Sequence, residues 1–363
     1  MTISDRSRLE SGVDTLITFF TSDTFVYIVK RVLQALLTLF LASALSFVII
    51  QLAPGDYLDT LKENPKISPE RIEQLRRQFG LDKSWFEQYF LWMWQIIKPV
   101  PFSKSLSWLM VPQGNFGNSF VYNRSVASLL WERVPATLLL AISSLVVTWA
   151  IAIPLGIVGA VNQNRWSDRL LQVISYAGQG FPSFITALLL LILAQNTSPL
   201  FPVGDMTSID HDELVPLGKI IDIAWHMILP TIALSITSFA GLQRITRGEL
   251  LDVLRQDYIQ TARAKGLPEN KVIYVHALRN AVNPLITLLG FEFASLLSGA
   301  FIAEFFFNWP GLGRLILQAV QAQDLYLVMA SLMMGAVMLI VGNLLADLLL
   351  KVVDPRIKLE EAN

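Results

Sequence analysis

Long runs without a charged residue constrain this chain more than any other feature. They cover Val32 to Gly55, Val134 to Asn164, Leu170 to Gly204, Ile223 to Gln243 and Leu325 to Ala346. A further run, Val282 to Phe307, is equally apolar but holds Glu292 and Glu304. A helix that crosses the hydrocarbon core needs about 20 mostly apolar residues. Helices satisfy their own backbone polar groups there, which open strands cannot do. The pattern predicts an all-α membrane protein with six transmembrane helices, at about 29–52, 134–161, 168–195, 224–247, 281–305 and 326–351. Composition agrees: 53% of residues are apolar and only 16% charged, against about a quarter charged in soluble domains.

Ala42-Ser43-Ala44 resembles a signal-peptide cleavage site. The apolar stretch continues through Ile50, however, too far for the short apolar core of a signal peptide. It is read as a first span. A formal net charge of −1 gives no reason to expect nucleic acid as a partner. Without cysteine, thiolate catalysis and cysteine-ligated metals are excluded. His211, His226 and His276 are scattered, so no metal site and no cofactor are expected.

Short loops on the cytoplasmic side of a membrane protein are rich in Lys and Arg. Lys30 and Arg31 precede the first span, and Arg165 and Arg169 separate the second from the third. Arg244, Arg247, Arg255, Arg263, Lys265, Lys271 and Arg279 lie between the fourth and fifth, and Lys351, Arg356 and Lys358 follow the sixth. The other connections, 196–223 and 306–325, hold only Lys219 and Arg314. Both termini are therefore expected in the cytoplasm. The domain plan is an N-terminal extension (1–28), a first span (29–52), a large extracytoplasmic loop (53–133), a core of five spans (134–351) and a tail (352–363).

In the large loop, Ser68-Pro69-Glu70 reads as a helix start and Gly80 as its stop. A second helix is expected from Asp82, as its cap, to about Ile97. It carries Trp85, Phe86, Tyr89, Phe90, Trp92 and Trp94, aromatics suited to a membrane interface. Residues 99–113 are apolar and flanked by prolines, and are expected to be irregular.

The connection between spans four and five is the most informative segment. Leu250, Leu251, Leu254, Tyr258 and Ala262 fall on one helical face. Gly266 ends that helix, and Lys271 to Leu278 restart one that runs into span five. A short helix before a sharp turn can be gripped in a partner's groove. It can equally be an ordinary connector, and the residue pattern alone does not decide between them.

The segment resembles the coupling loop of ABC-transporter permeases, written Glu-Ala-Ala, three residues, Gly. Here the slot reads Gln260-Thr261-Ala262, Arg263-Ala264-Lys265, Gly266. The second alanine and the glycine match, and the glutamate and first alanine do not. Asp257 to Leu267, and His276-Ala277-Leu278-Arg279-Asn280-Ala281 before Pro284, are similar to the dipeptide/oligopeptide/nickel permease family. Supporting motifs follow in family order: Leu52-Ala53-Pro54-Gly55-Asp56, Gly114 to Phe120, Arg133 to Leu138, Pro182-Ser183-Phe184, Trp309 to Arg314 and Asp354-Pro355-Arg356.

The resemblance implies the type I fold of ABC importer permeases, in a bacterial plasma membrane. It implies a second homologous permease, two cytoplasmic ABC ATPases that grip a coupling loop at 248–280, and an extracytoplasmic solute-binding protein. No G-x-x-x-x-G-K-[ST] phosphate loop is present. The chain is therefore expected to be a permease and not an enzyme. Coupling would fall to Asp257, Tyr258, Thr261, Ala262, Arg263, Ala264, Lys265, Gly266 and Leu267. Arg263 and Lys265 either pair with acids on the ATPase or orient the loop. The family implies peptide cargo, with nickel or another solute as the alternative. A secondary transporter has no use for such a loop.

An ionisable residue inside a span usually faces a cavity or a partner. Glu292 is therefore a candidate for the translocation path, or a hydrogen-bonded interface glutamate. Pro182 and Phe184, at the interruption of span three, are further path candidates. Glu304 is expected at the outer interface, where it could meet the binding protein.

Overall fold

The computed structural model describes residues 23–52, 55, 57–62, 67–101, 110–197 and 200–353. Expectations for residues 1–22, for Ala53, Pro54 and Asp56, for 102–109 and for 354–363 lie outside these. The described residues are mostly helical. Helices α1 (Asp23–Leu52), α2 (Tyr57–Lys62), α3 (Pro69–Gln78) and α4 (Trp85–Ile97) precede two short strands, β1 (Pro99–Pro101) and β2 (Met110–Pro112). Then come α5 (Val126–Val161), α6 (Trp166–Gly180), α7 (Ser183–Asn196), α8 (Pro216–Leu254) and α9 (Asp257–Ala264). A helical turn (Glu269–Lys271) and a π-helix (Val272–Ala277) lead into α10 (Leu278–Phe306), α11 (Leu312–Gln321) and α12 (Leu325–Val353).

Among the described residues, α1, α5, α8 and α12 are long and apolar enough to cross a membrane. The α6–α7 pair makes a fifth crossing if it is counted as one. The interruption expected at Pro182 within the third span, 168–195, is a full break in direction, because the two helices meet at 100°. Phe181, ahead of Pro182, is extended at φ −85° and ψ 122°, as residues before proline prefer. Pro182 brings no N–H to continue the ladder. It serves instead as the cap of α7, its carbonyl accepting from the N–H of Ile185 at 3.0 Å.

Other boundaries also move. Helix α5 begins at Val126 rather than 134, and Pro135 lies inside it. Helix α8 begins at Pro216, in the first turn where a missing N–H costs nothing, and runs on to Leu254. Helix α3 starts at Ser68 and stops before Gly80, at φ +68°, as expected. Helix α4 is capped by Ser84 and not by Asp82. The Ser84 hydroxyl accepts from the Glu87 N–H, and the Glu87 carboxylate accepts from the Ser84 N–H at 3.2 Å. At the described ends of segment 99–113 the chain is not irregular, since β1 and β2 pair antiparallel with Val100 opposite Val111.

Helices α5 and α8 form the centre of the bundle, joined by α10 and α12. Their close approach depends on a small residue. A Cβ on Gly156 would come within 2.6 Å of the Thr246 side chain.

At the end of the bundle away from α9, Glu304 is fully buried, which corrects its expected place at an exposed interface. Its carboxylate accepts from the Thr137 hydroxyl at 2.6 Å and the Arg314 N–H at 3.0 Å. Thr137 accepts in turn from the Leu312 N–H at 2.7 Å, and the Trp309 indole donates to the Ala136 carbonyl at 3.0 Å. The Trp309 to Arg314 motif thus wraps the start of α11 around one carboxylate. A Cβ on Gly311 would overlap that carboxylate. Nearby, Asp324 accepts from the Ser119 hydroxyl at 2.5 Å and the Leu327 N–H at 3.2 Å. This bond ties the Gly114 to Phe120 segment to the start of α12.

Candidate coupling site

Helix α8 ends at Leu254, and Gln256 turns to an extended conformation before α9 begins. The single helix expected through Leu250 and Ala262 is therefore broken. The break shifts the helical phase, so that Ile259, fully buried, and Ala262 face inward while Tyr258 is exposed. Ile259 and Ala262 pack on a small core made by Ile157 and Ala160 of α5, Leu250 of α8, and Val272, Ile273 and Ala277 of the π-helix. Helix α9 is thus seated on the ends of several membrane helices at once.

The stop at Gly266 has a definite geometry. Its N–H donates to the Arg263 carbonyl at 2.9 Å, and the Leu267 N–H donates to the Ala262 carbonyl at 3.4 Å. These are the two reversed bonds of a Schellman cap. They require a left-handed residue, and Gly266 sits at φ +75°. Nothing lies within 4 Å of a Cβ built there. Backbone conformation, and not space, is what calls for glycine. Leu267 adds its side chain to the core beneath the helix.

The outward face of α9 carries Asp257, Tyr258, Thr261 and Ala264, with Lys265 as the cap. The Asn280 amide donates to the Tyr258 hydroxyl at 2.7 Å, and the Thr261 hydroxyl donates to the Asp257 carbonyl at 2.9 Å. Arg263 is engaged within the chain. Its guanidinium donates through Nε at 3.2 Å and Nη2 at 2.6 Å to the two oxygens of Glu269. The pair holds the Glu269 carboxyl below its usual range and pushes the Arg263 guanidinium up. Lys265 is exposed at a helix C-terminus, where a cation suits the macrodipole.

Behind α9 lies an ion pair that the sequence reading did not single out. Arg247 of α8 grips the fully buried Asp168 of α6, Nε to Oδ1 at 2.6 Å and Nη2 to Oδ2 at 2.8 Å. Asp168 also accepts from the Asn164 N–H at 2.9 Å and the Gln172 amide at 3.0 Å. Ser175 of α6 donates to Gln243 of α8 at 2.6 Å. Asp168 lies in the first turn of α6, where an acid is ordinary and draws no notice, while Arg247 counted only as one more cytoplasmic cation. Their distance in sequence hid the pairing.

The path candidates lie on separate elements. Pro182 and Phe184 form the bend into α7, and Glu292 sits on α10. Glu292 is half-buried, and its Oε2 has no hydrogen-bond partner among the described residues.

Residues 152–359 match the family described as binding-protein-dependent transport system inner membrane component, and residues 24–141 match its N-terminal region. The chain is 37% identical over 333 residues to the oligopeptide transport system permease protein AppB of Bacillus subtilis, covering 92% of this chain and 99% of that one. It is 35% identical over 334 residues to the glutathione transport system permease protein GsiC of Escherichia coli K12, covering 92% and 98%. A solved structure of the MetNI methionine ABC transporter in an inward-facing conformation superposes with a TM-score of 0.50 at 14% identity, covering 62% of this chain and 97% of that one. That likeness bears on the fold. Family match, relatives and fold agree: the chain belongs to the binding-protein-dependent transport system inner membrane components, the multi-pass plasma-membrane permeases of ABC importers.

Proposed function

We propose that this chain is the permease subunit of an ATP-driven peptide importer and forms half of the translocation pathway. Helix α10 completes six crossings, with both termini on the side of α9 and the 53–133 segment on the other. A second permease completes the pathway, a solute-binding protein delivers di- or oligopeptides, and one of two ATPases grips α9. One observation carries the reading: α9 presents an exposed ridge while its inner face is seated in the core shared by α5, α8 and the start of α10. A push on that ridge is delivered to the membrane helices and not to a loose loop. ATP binding shifts the pathway only through the ATPases' differential affinity for its two arrangements. The peptide assignment is supported by the names of the relatives. Glu292, with Pro182 and Phe184, is assigned to the path.

The test is uptake of labelled di- and oligopeptides by vesicles holding the complete complex, with and without binding protein. ATP-dependent uptake that needs the binding protein is expected, and falls in Glu292→Gln if this residue faces the path. Nickel uptake in place of peptide would reassign the cargo, and uptake indifferent to ATP would reject the reading.

A further inference from the structure

A groove of about 1100 Å³ opens between α1 and α4. Leu36 and Phe40 of α1 form one wall, Phe90 and Trp94 of α4 the other, and Met333 of α12 the floor. Its size lies just above the usual range of ligand pockets, roughly 300–1,000 Å³. The lining is almost wholly apolar, and its charged members, Lys83 and Glu87, lie at the α4 start. Glu87 is held in the capping box with Ser84, whereas Lys83 is exposed.

The groove is preformed. Tyr89 of α4 shares a 2.8 Å hydrogen bond with Ser43 of α1, and the Gln51 amide donates to Gln88 at 2.9 Å. These bonds hold α4 along the last third of α1. Helix α4 nevertheless leaves Phe86 at 73% exposure and Trp94 at 56%. On α1, beside the groove-lining Leu36 and Phe40, Leu33, Leu37 and Leu41 are exposed as well. In a membrane chain, acyl chains solvate such a face, and aromatic residues collect at headgroup level. A bilayer amphiphile meets both parts of the groove: an apolar tail for its length, and a headgroup phosphate for Lys83, the cation of a mixed-charge end whose carboxylate, Glu87, is tied to Ser84.

We propose that this groove is a phospholipid site, with one acyl chain lying between α1 and α4 and the phosphate at Lys83. The proposal needs only the membrane setting that the family gives, and is independent of cargo and of which side α9 faces. It makes α4 a lipid-anchored part of the membrane domain.

The test uses the complete complex in vesicles that contain phosphatidylglycerol with a photoactivatable diazirine in one acyl chain. After irradiation, labelled peptides are located by mass spectrometry. The exposed face of α1 is the internal control. Labelling is expected on 86–97 as well as on α1. In Lys83→Glu, α4 labelling should fall several-fold while α1 labelling holds, and Lys83→Gln should fall between. If α1 is labelled and α4 is not, the groove is covered by protein and the proposal fails. Equal α4 labelling in wild type and Lys83→Glu means bulk lipid without a headgroup site, which also overturns it.

Discussion

Substitutions at Gly266 separate backbone conformation from every other role the turn could have. A Cβ there meets nothing within 4 Å, so alanine adds no clash. Its cost is the left-handed conformation at φ +75°, about 1–2 kcal/mol for an L-residue. If α9 must keep this cap to stay seated, that energy lowers the competent population roughly 5–30-fold. Asparagine visits the left-handed region several times more readily than other non-glycine residues, so Gly266→Asn should retain most function. Proline cannot reach a positive φ, and it removes the N–H that donates to the Arg263 carbonyl at 2.9 Å. The expected order of transport-coupled ATP hydrolysis in reconstituted complexes is Gly, Asn, Ala, Pro, with the last near zero. Co-purification of the ATPases from the membrane is measured alongside, because Gly266→Pro should still assemble. Equal activity of Gly266→Ala and wild type refutes the conformational role. An Asn variant as poor as the Pro variant points instead to a direct contact at that position.

Three further outcomes follow from the same structure. Asp168→Asn leaves Arg247 without its buried partner, a kind of change that costs about 3–5 kcal/mol. Thermal unfolding of the purified permease in detergent should show the loss, and an unchanged midpoint would deny the pair any such weight. Gly311→Ala forces a methyl group into the Glu304 carboxylate, and overpacking of this kind costs about 1–3 kcal/mol; the same assay checks it, with Gly180→Ala, where a Cβ meets nothing within 4 Å, as control. The Arg263–Glu269 pair is more than a third exposed at Glu269, so it contributes only about 0.2–1 kcal/mol. Because Arg263 lowers the folded-state pKa of Glu269, that contribution is present above the unfolded value and lost as pH falls through the lowered one. The stability gap between wild type and Glu269→Gln should therefore be constant near neutrality and close below about pH 4, and a gap that widened in acid would contradict the sign.

Charge-free runs made the membrane helices legible, because a bilayer permits little else over such lengths. Gly266 was legible for a related reason: a glycine after a helical stretch has few other uses. The third span was only half legible. Pro182 announced an interruption, but a bend of 100° depends on Phe181 going extended, which composition does not fix. Helix α9 was misread in phase because a two-residue break at Arg255 and Gln256 leaves no mark in the apolar spacing, so Tyr258 took the place that belongs to Ile259. Glu304 was misplaced because its partners, Thr137 and the N–H of Arg314, come from two other elements. Period and propensity report local geometry, whereas a buried carboxylate is decided by whatever the fold brings around it.

The misread features together bear on how a push at α9 would travel. Helices α5, α6 and α8 are locked together at the end that carries α9. Gly156 lies against Thr246, Asp168 against Arg247, and Ser175 against Gln243. Buried contacts this close do not deform continuously; a packed block either moves as one or changes to another discrete arrangement. The backbone ladder of this block is interrupted at Phe181-Pro182, where α7 leaves α6 and packs on α8 and α10. Displacement of α9 would therefore reach the bend nearly undiminished, and relative motion would concentrate where the ladder is already broken. On this account Asp168→Asn should uncouple ATP hydrolysis from uptake even at a temperature where the variant stays folded, since it loosens the block without touching α9. Coupling that survives in the folded variant would place the transmission elsewhere, through α10 alone.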